Sequence, residues 1–256
     1  MDIEYYSRTW VIMQARVGST RLPDKILKPI LGRAILEHDI ERCLRGRNCA
    51  GVVVATTVAP EDDKVVELCR RFPAEKVKSY RGSVQDVLGR YHAAAETFGV
   101  QYIVRITSDC PLLDHCLVDE MIEEYFSPKR EGDALDYLTN NMPPTFPHGL
   151  DTEIISLAAL ARADLEAKEP LEREHVTPYI RRHPELFKIR NFAQAEDQSH
   201  HRWTLDYPED YEFIKTVYEQ LYPAKPDFSR EDVMNLLRRH PEIEAINQMR
   251  RRRGEP

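Results

Sequence analysis

Three short apolar runs, each followed by a segment with helical periodicity, constrain the fold of this chain more than any other feature. The runs cover residues 9–14 (TWVIMQ), 51–57 (GVVVATT) and 100–109 (VQYIVRITSD). Runs of this length that are rich in β-branched residues are typical of buried strands. Strands that alternate with helices of about 12 residues need crossover connections. The sequence therefore predicts an α/β fold with a mostly parallel central sheet.

The alternation extends to about residue 126, and the pattern then changes. A stretch rich in Pro and Asn follows, with strands predicted around residues 135–140 and 152–155. Helices are predicted for EREHVTPYIRRH and EDVMNLLRRH, and a short strand for HRWTLD. The sequence shows no clear linker between domains. We therefore predict a single domain over residues 1–256, with an insertion at 127–200 for acceptor binding or dimerisation, and a C-terminal helical appendage with a basic tail at 223–256.

Composition argues against several classes of protein. The net charge of −7 is unlike that of a general nucleic-acid binder, because such proteins carry a basic surface. No run approaches the ~18 apolar residues that a membrane span needs, and the first residues lack the apolar core of a signal peptide. The five cysteines form no CxxC pair, so we expect reduced thiols in the cytoplasm rather than zinc ligands or disulfides.

The segment QARVGSTRLPDK, residues 14–25, concentrates three cations directly after the first predicted strand. They are Arg16, Arg21 and Lys25, and Ser19 lies among them. In an open α/β sheet, ligands bind at the carboxyl ends of strands, and Arg and Lys side chains bind phosphate groups well. The segment is neither a Walker A loop nor a GxGxxG loop. It predicts a polyphosphate site, although a solvated charged connector explains the composition equally well.

Two aspartates end predicted strands and are candidates for a metal site. Asp109 follows the third apolar run, and Asp206 ends HRWTLD. Mg²⁺ uses few protein carboxylates and completes its shell with water and phosphate oxygens. Each aspartate has an alternative role as a cap. Asp206 with Glu209 has the spacing of a capping box, whereas Asp114 is better placed than Asp109 to cap the next helix.

Several longer motifs resemble the cytidylyltransferase family, in particular the group of spore coat polysaccharide biosynthesis protein F. They include IMQARVGSTRLPDKILKPILGRAILEH, RGSVQDVLGRY, IVRITSDCPLLD, HGLDTE, EREHVTPYIRR and HRWTLDYPEDYEFI. The resemblance covers residues 11–221, and this group is similar to the CMP-Kdo and CMP-acylneuraminate synthetases. It implies a three-layer, Rossmann-like domain with the nucleotide-diphospho-sugar transferase fold, which we expect to form a homodimer.

The resemblance also assigns roles to individual residues. It implies a CTP site, a Mg²⁺ site formed by Asp109 and Asp206, and catalytic roles for three residues. The catalytic residues are Arg16, Lys25 and Asp109. The residues assigned to the CTP site are Gln14, Ala15, Arg16, Ser19, Arg21 and Lys25 around the phosphates, Ala55 and Thr56 near the base, and Ser83 and Asp86 in the next nucleotide-binding segment.

The reaction implied by the resemblance is a transfer of CMP from CTP to an acidic sugar or related acceptor, with release of pyrophosphate and dependence on Mg²⁺. We expect the middle insertion to supply the acceptor site, although a buried salt-bridge cluster would also account for its charged residues. The alternative is a metal-dependent glycosyltransferase that uses a nucleotide sugar. Such an enzyme normally shows an Asp-x-Asp motif, whereas Asp109 is followed by Cys110 and Pro111. The residues nominated for the acceptor are His148, Asp151, Glu174, His175 and Arg202.

Overall fold

The computed structural model of this chain describes residues 3–127 and 134–250, and a seven-stranded sheet forms its centre. A separate two-stranded ribbon is formed by β2 and β3 of the following series. The strands are Thr9–Gln14 (β1), Pro29–Ile30 (β2), Arg33–Ala34 (β3), Val52–Thr57 (β4), Val77–Gly82 (β5), Tyr102–Thr107 (β6), Tyr137–Thr139 (β7), Glu153–Ser156 (β8) and Ile189–Asn191 (β9).

Helices connect most of these strands and follow the last one. Among the described residues, none is long and apolar enough to cross a bilayer. Short 3₁₀ turns occur at Lys25–Leu27, Pro60–Asp62 and Gln248–Arg250. The α-helices are Ile3–Ser7 (α1), Ile35–Leu44 (α2), Asp63–Cys69 (α3), Val87–Phe98 (α4), His115–Tyr125 (α5), Leu157–Glu166 (α6), Pro170–His175 (α7), Pro178–Arg182 (α8), Pro208–Leu221 (α9), Arg230–Arg239 (α10) and Pro241–Ala245 (α11).

The strand order in the main sheet is β5-β4-β1-β6-β8-β7-β9. The first four of these strands are parallel, and β1 pairs on both sides, with Val11 opposite Val52 of β4 and Val104 of β6. In the other half, β8 runs antiparallel to β6 and β7, and β9 is parallel to β7. The predicted mostly parallel α/β sheet is therefore confirmed.

Helices cover both faces of this sheet. Alternate residues of a strand point to opposite faces, and in β1 the residues Val11 and Met13 join one hydrophobic cluster while Ile12 joins the other. The first cluster contains side chains of α2, α5, α9 and α10, and the second contains side chains of α4 and α6. A strand buried on both faces reads as a continuous apolar run. This explains why β1, β4 and β6 were visible in the sequence, and the three-layer fold is confirmed.

The prediction of one helix for EREHVTPYIRRH is wrong. The structure has two short helices there, α7 and α8, separated at Val176 and Thr177. Val176 adopts a φ of 72°, which a helix cannot accommodate, and Pro178 opens the second helix at a position where its missing N–H costs nothing. The break leaves His175 at the end of α7.

The prediction of a strand for HRWTLD is also wrong. Residues 201–206, hereafter the 201–206 segment, make a single bridge to the main chain at His148 and form no ladder. The Trp203 N–H donates to the His148 carbonyl at 2.7 Å, and the Leu205 N–H donates to the Asp109 carbonyl at 2.8 Å. The segment is therefore tied on one side to residue 148 and on the other to the chain just beyond β6.

Three expectations from the sequence stay predictions. They are the role of residues 127–200, the description of residues 223–256 as an appendage, and the homodimer. Residues 251–256 of the expected basic tail lie outside the described part of the chain.

Gly149 fixes the path of the 201–206 segment. Its φ is 110°, and a Cβ atom there would lie 2.6 Å from the main-chain carbon of Trp203 and 2.7 Å from the nitrogen of Thr204. We expect Gly149→Ala to lower the free energy of unfolding by about 2 kcal/mol or more, because both the backbone strain and the overlap are destabilising. Chemical denaturation measures this.

Gly18→Ala is the matched control. No atom lies within 4 Å of a Cβ at Gly18, so we expect a change of at most about 0.5 kcal/mol. Equal stabilities of the two variants would contradict the role assigned to Gly149.

Candidate active site

A cavity of about 960 Å³ opens at the carboxyl ends of β1 and β6. This is the edge at which open α/β sheets bind their ligands. Its wall is formed by the loop after β1, the residues that precede and begin α4, residues 168–175 and Asp206. The cationic residues of the wall are Arg16, Arg21, Lys25, Arg90, Arg105, Lys168 and Arg173.

The loop after β1 is anchored through its backbone. The Val17 N–H donates to the buried Asp62 carboxylate at 2.7 Å. This bond uses no side chain of the loop, so Arg16 and Arg21 remain at the cavity wall, with the Arg21 side chain 56% exposed. The sequence segment predicted to receive phosphates is therefore an ordered loop that presents cations to a cavity.

Lys25 lies between the two aspartates that were predicted as metal ligands. Its Nζ is 3.0 Å from Asp109 Oδ2 and 3.1 Å from Asp206 Oδ1, and it also donates to the Leu205 carbonyl at 2.9 Å. Burial alone would lower the pKa of Lys25, but the two carboxylates raise it above its ordinary value. Burial likewise opposes ionisation of Asp109, yet Lys25 holds the pKa of that carboxyl below its usual range. Lys25 and Asp109 are therefore both charged at neutral pH.

Asp206 reaches this position because other residues take over the capping of α9. The helix begins after Tyr207, and the Asp210 carboxylate accepts the N–H groups of Asp206 and Tyr207, each at 3.0 Å. Arg202 holds Asp210 in turn through two bonds of 2.9 and 2.8 Å. The alternative of a capping box formed by Asp206 with Glu209 is therefore not realised, and the Asp206 side chain is left to face the cavity.

The chemistry of this pair fits a magnesium ion. Asp109 and Asp206 bring one oxygen each to within about 3 Å of the same cationic atom, so the position between them already accommodates positive charge. Mg²⁺ is usually bound by one or two carboxylates, with water and phosphate oxygens as its other ligands. The two aspartates can therefore hold Mg²⁺ once the Lys25 ammonium moves aside.

A second group of potential ligands lies elsewhere in the described residues, at Asp114, His115 and Cys116. The Asp114 carboxylate already accepts the Cys116 N–H at 3.1 Å and faces an Arg230 nitrogen at 3.4 Å. These residues also form the N-terminus of α5, where the helix dipole disfavours a cation. Asp114 acts as a helix cap, as the sequence predicted.

The cavity brings together most of the residues that the sequence nominated. Both halves of the prediction contribute, the phosphate loop and the EREHVT segment. The nominated residues that line the cavity are Gln14, Ala15, Arg16, Ser19, Arg21, Lys25, Asp86, Asp109, Glu174, His175 and Asp206.

Three residues nominated for the nucleotide site do not line it. Ala55 and Thr56 are fully buried, because β4 is a central strand covered on both faces. Ser83 is exposed, and its hydroxyl accepts the Asp86 N–H at 3.0 Å. Its neighbours Val84 and Gln85 line the cavity in its place.

Three residues nominated for the acceptor also lie outside the cavity wall. His148 exchanges main-chain hydrogen bonds with the 201–206 segment, and Arg202 is buried against Asp210. The Asp151 carboxylate accepts the Gly149 N–H at 3.0 Å. The His148 main chain and the Arg202 and Asp151 side chains hold the backbone around the 201–206 segment, and a role of these residues in acceptor binding stays a prediction.

For the middle insertion, the sequence also allowed a buried salt-bridge cluster in place of an acceptor site. One residue of HGLDTE, Glu153, does form such buried contacts. Glu153 is 2% exposed, pairs with Arg105 and accepts the Thr177 hydroxyl at 2.8 Å. It connects β8 to the chain after α7.

Three cationic residues of the cavity wall were missed by reading the sequence, namely Arg90, Arg105 and Lys168, whereas Arg173 belongs to the EREHVT segment expected at the acceptor site. Arg173 donates to Asp86 and also to Asp164 at 2.6 Å, so it fastens α7 to α4 and α6. Asp86 itself caps α4 by accepting the Gly89 N–H at 2.9 Å. A signal was present for Arg90, which follows Asp86 by four residues and therefore lies one helical turn along α4.

Asp39 is a buried acid close to Lys25 and Asp109. It is 1% exposed on α2, and neither carboxylate oxygen has a hydrogen-bond partner in the described structure. Burial raises the pKa of Asp39 well above its ordinary value, and the charge of Asp109 adds to this. The folded protein therefore retains a proton on Asp39 at a pH where the unfolded chain has lost it.

The pH dependence of stability tests this assignment. Above pH ~4 the unfolded chain ionises Asp39 while the folded chain does not, so folding takes up a proton and the free energy of unfolding falls with rising pH. We expect Asp39→Asn, which is neutral at every pH, to become more stable than wild type by up to ~1.4 kcal/mol per pH unit. Urea denaturation between pH 5 and 8 measures the difference.

Glu61→Gln is the control, since Glu61 is exposed. Its stability is expected to follow that of the wild type. A constant difference between Asp39→Asn and wild type across this pH range would refute a protonated Asp39.

Comparison with known proteins agrees with the motifs. A family model described as Cytidylyltransferase matches residues 10–232. The spore coat polysaccharide biosynthesis protein SpsF of Bacillus subtilis is 32% identical over 239 residues, which is 90% of this chain and 94% of that protein. A solved cytidylyltransferase structure from Leptospira borgpetersenii superposes with a TM-score of 0.85 at 35% identity, covering 93% of this chain and 96% of the other.

A more distant match concerns about half of the chain. The 3-deoxy-manno-octulosonate cytidylyltransferase of Geobacter sulfurreducens is 33% identical over 111 residues, which is 43% of this chain and 42% of that protein. The resemblance read from the motifs is confirmed by these matches.

Proposed function

This chain belongs to the cytidylyltransferase family, and we propose that it transfers CMP from CTP to an acidic sugar or a related acceptor with release of pyrophosphate. The observation that carries the proposal is the convergence of Lys25, Asp109 and Asp206 beside a loop of cations in one cavity. The name of the Geobacter relative supports a sugar acid as the acceptor.

The proposed reaction is a displacement at the α-phosphorus of CTP. An acceptor oxygen forms a bond to that phosphorus, the bond to the bridging oxygen of pyrophosphate breaks, and the acceptor hydroxyl loses its proton to solvent. Such transfers depend on positioning and on neutralising charge. Arg16, Arg21 and Lys25 would hold the β- and γ-phosphates and stabilise the negative charge of the leaving group.

Asp109 and Asp206 would hold Mg²⁺ in this proposal. The ion would neutralise charge on the phosphate oxygens at the reacting centre. Lys25 gains a second role, because its ammonium keeps the two carboxylates together in the absence of nucleotide. Binding of CTP would then draw Lys25 toward the phosphates.

The part of the cavity wall formed by residues 168–175 is suited to an acidic acceptor. It presents Lys168, Glu174 and His175. An ammonium group beside a carboxylate favours a ligand that carries both a negative group and hydroxyls. This supports a sugar acid over a neutral sugar.

The direct test of the proposal is pyrophosphate release from each nucleoside triphosphate with Mg²⁺ and a panel of acidic sugars. We expect release with CTP and at least one sugar acid. Release with a different triphosphate, or none with any combination, would overturn the proposal.

The metal ligands are tested by Asp109→Asn and Asp206→Ser. Each change removes a charged ligand, and we expect pyrophosphate release to fall at least about 100-fold. Because Asp210 performs the capping of α9, Asp206→Ser should melt close to the wild-type temperature. Glu209→Gln, at the other position of the predicted capping box, is the control and should retain full activity. Full activity of Asp206→Ser would remove that residue from the site.

Lys25→Ala tests whether the position between the two carboxylates can bind a divalent cation. The test measures binding affinities and does not depend on enzyme activity. Removing the ammonium leaves that position to a divalent cation, so Mn²⁺ should bind the nucleotide-free variant more tightly than the wild type. CTP should bind on the order of tenfold more weakly, because a phosphate contact is lost. Electron paramagnetic resonance and calorimetry measure the two affinities. Weaker Mn²⁺ binding by the variant would contradict the assignment.

A further inference from the structure

The C-terminal part of the described chain contacts the residues that support Asp206. It comprises α11 and the 3₁₀ turn that follows, and we call it the 241–250 segment. Within it, Asn247 is buried, with 2% of its surface exposed. Asn247 Nδ2 donates to the Arg202 carbonyl at 3.0 Å and to Asp210 Oδ1 at 3.0 Å. A side-chain amide has two N–H donors, so this one group satisfies two buried acceptors.

Asp210 fixes the backbone at Asp206. Its carboxylate is fully buried and accepts five hydrogen bonds in the described structure. Four of them come from nearby residues, two from the Arg202 guanidinium and one each from the N–H groups of Asp206 and Tyr207. The fifth comes from Asn247. Asn247 therefore connects this local group of bonds to a distant part of the chain.

Arg202 orients the side chain of Asp206. Arg202 Nη2 lies 3.6 Å from Asp206 Oδ2, whereas Asp206 Oδ1 lies 3.1 Å from Lys25 Nζ at the cavity wall. The carboxylate is thus turned with one oxygen toward each cation. Asn247 holds the Arg202 carbonyl and the Asp210 carboxylate. It therefore acts on both groups that set the orientation of Asp206.

Sheet pairing does not restrain the backbone at Asp206, since the 201–206 segment belongs to none of the described strands. The Leu205 N–H donates to the Asp109 carbonyl, and the next two N–H groups along the chain both donate to Asp210. The position of Asp206 therefore depends on how firmly Asp210 is held. Groups at a functional site are held precisely when hydrogen bonds from a further layer of residues lock their supports.

Other contacts of the 241–250 segment reach the same region. His201 Nδ1 lies 2.6 Å from Glu244 Oε1, at the start of the 201–206 segment. The Arg250 guanidinium lies 4.3 Å from the centre of the Tyr207 ring and 3.3 Å from Glu209, just beyond the other end. The 241–250 segment therefore contacts both ends of the stretch that carries Asp206.

We infer that Asn247 is a positioning residue, which holds the supports of the Asp206 carboxylate so that this carboxylate faces the cavity. The inference rests on the proposed function, because Asp206 is a ligand of Mg²⁺ in that proposal. Reacting groups need placement to within about 0.5 Å, and a misplacement of about 1 Å can lower the rate on the order of 100-fold. Part of the predicted C-terminal appendage thereby has a task at the active site.

Asn247→Ala tests this inference, because it removes both donors of the amide. We expect kcat for pyrophosphate release to fall on the order of tenfold, while KM for CTP changes less than about threefold. Hydrogen exchange of the folded full chain gives a second measurement. The N–H groups of Asp206 and Tyr207 should exchange at least about tenfold faster, whereas that of Leu205, which bonds to residue 109, should keep its rate.

Two control variants separate positioning from stability. Asn235→Ala makes the same change at an exposed asparagine of α10 and should match the wild type in every measurement. Val233→Ala removes buried packing from the same helix, so it should lower the melting temperature by about 3 °C or more. Well below that temperature, Val233→Ala should retain the wild-type kcat and the wild-type exchange rates at residues 206 and 207.

Three results would overturn the inference. An unchanged kcat of Asn247→Ala, or unchanged exchange at residues 206 and 207, would make Asn247 a residue of stability alone, whatever its melting temperature. An equal loss of kcat in Val233→Ala would do the same. If Asn247→Ala does not fold, Asn247→Ser, which keeps one donor, is held to the same expectations with smaller changes.

Hydrogen exchange is measured without nucleotide or metal, so it decides the role of Asn247 independently of turnover. A wild-type protein that releases no pyrophosphate would overturn the proposed function. Faster exchange at residues 206 and 207 in Asn247→Ala would still support the positioning of Asp206 in that case.

Discussion

One ammonium group between two carboxylates determines how the site is built. Asp109 follows β6, Asp206 precedes α9, and Lys25 begins a 3₁₀ turn after the first loop. These residues are far apart in the chain, and Lys25 Nζ joins them at distances of 3.0 and 3.1 Å. Two carboxylates at this separation would repel each other strongly in a partly buried site. The cation between them therefore offsets this repulsion where the loop and the 201–206 segment meet at the edge of the sheet.

The sheet provides the rigid part of this arrangement. Because β1 and β6 are adjacent and parallel, the loops that follow them leave from the same edge. Main-chain bonds then tie the 201–206 segment to the Asp109 carbonyl, and Gly149 allows it to pass close to residue 148. The site consists of loops held by backbone hydrogen bonds and by ion pairs among its charged side chains, such as Lys25 with Asp109 and Arg21 with Asp206.

Local patterns were sufficient for part of the site. QARVGSTRLPDK and TSDCPLLD each follow a run that reads as a strand buried on both faces, so their place at the strand ends follows from the run itself. The cap of α9 could not be assigned this way. Asp206, Glu209 and Asp210 all lie near the helix start, and the choice of Asp210 depends on Arg202, which holds that carboxylate from outside the helix. The acidic residues of HGLDTE lie outside the cavity wall for a similar reason, since Asp151 accepts the Gly149 N–H and Glu153 pairs with Arg105.

The sequence by itself determined the alternation of strands and helices to about residue 126, the parallel half of the sheet, the family, and the two segments that carry the phosphate-site cations and Asp109. Each of these properties depends on a short stretch of sequence, because apolar periodicity specifies a strand or helix and residue type specifies a motif within that stretch. Tertiary structure alone decided that Lys25 bridges Asp109 and Asp206, that Asp39 is buried without a partner, and that Arg105 is paired while Arg90 is not. Burial and ion pairing depend on residues distant in the chain, so the sequence alone does not distinguish an arginine that forms a structural ion pair from one that has no acidic partner.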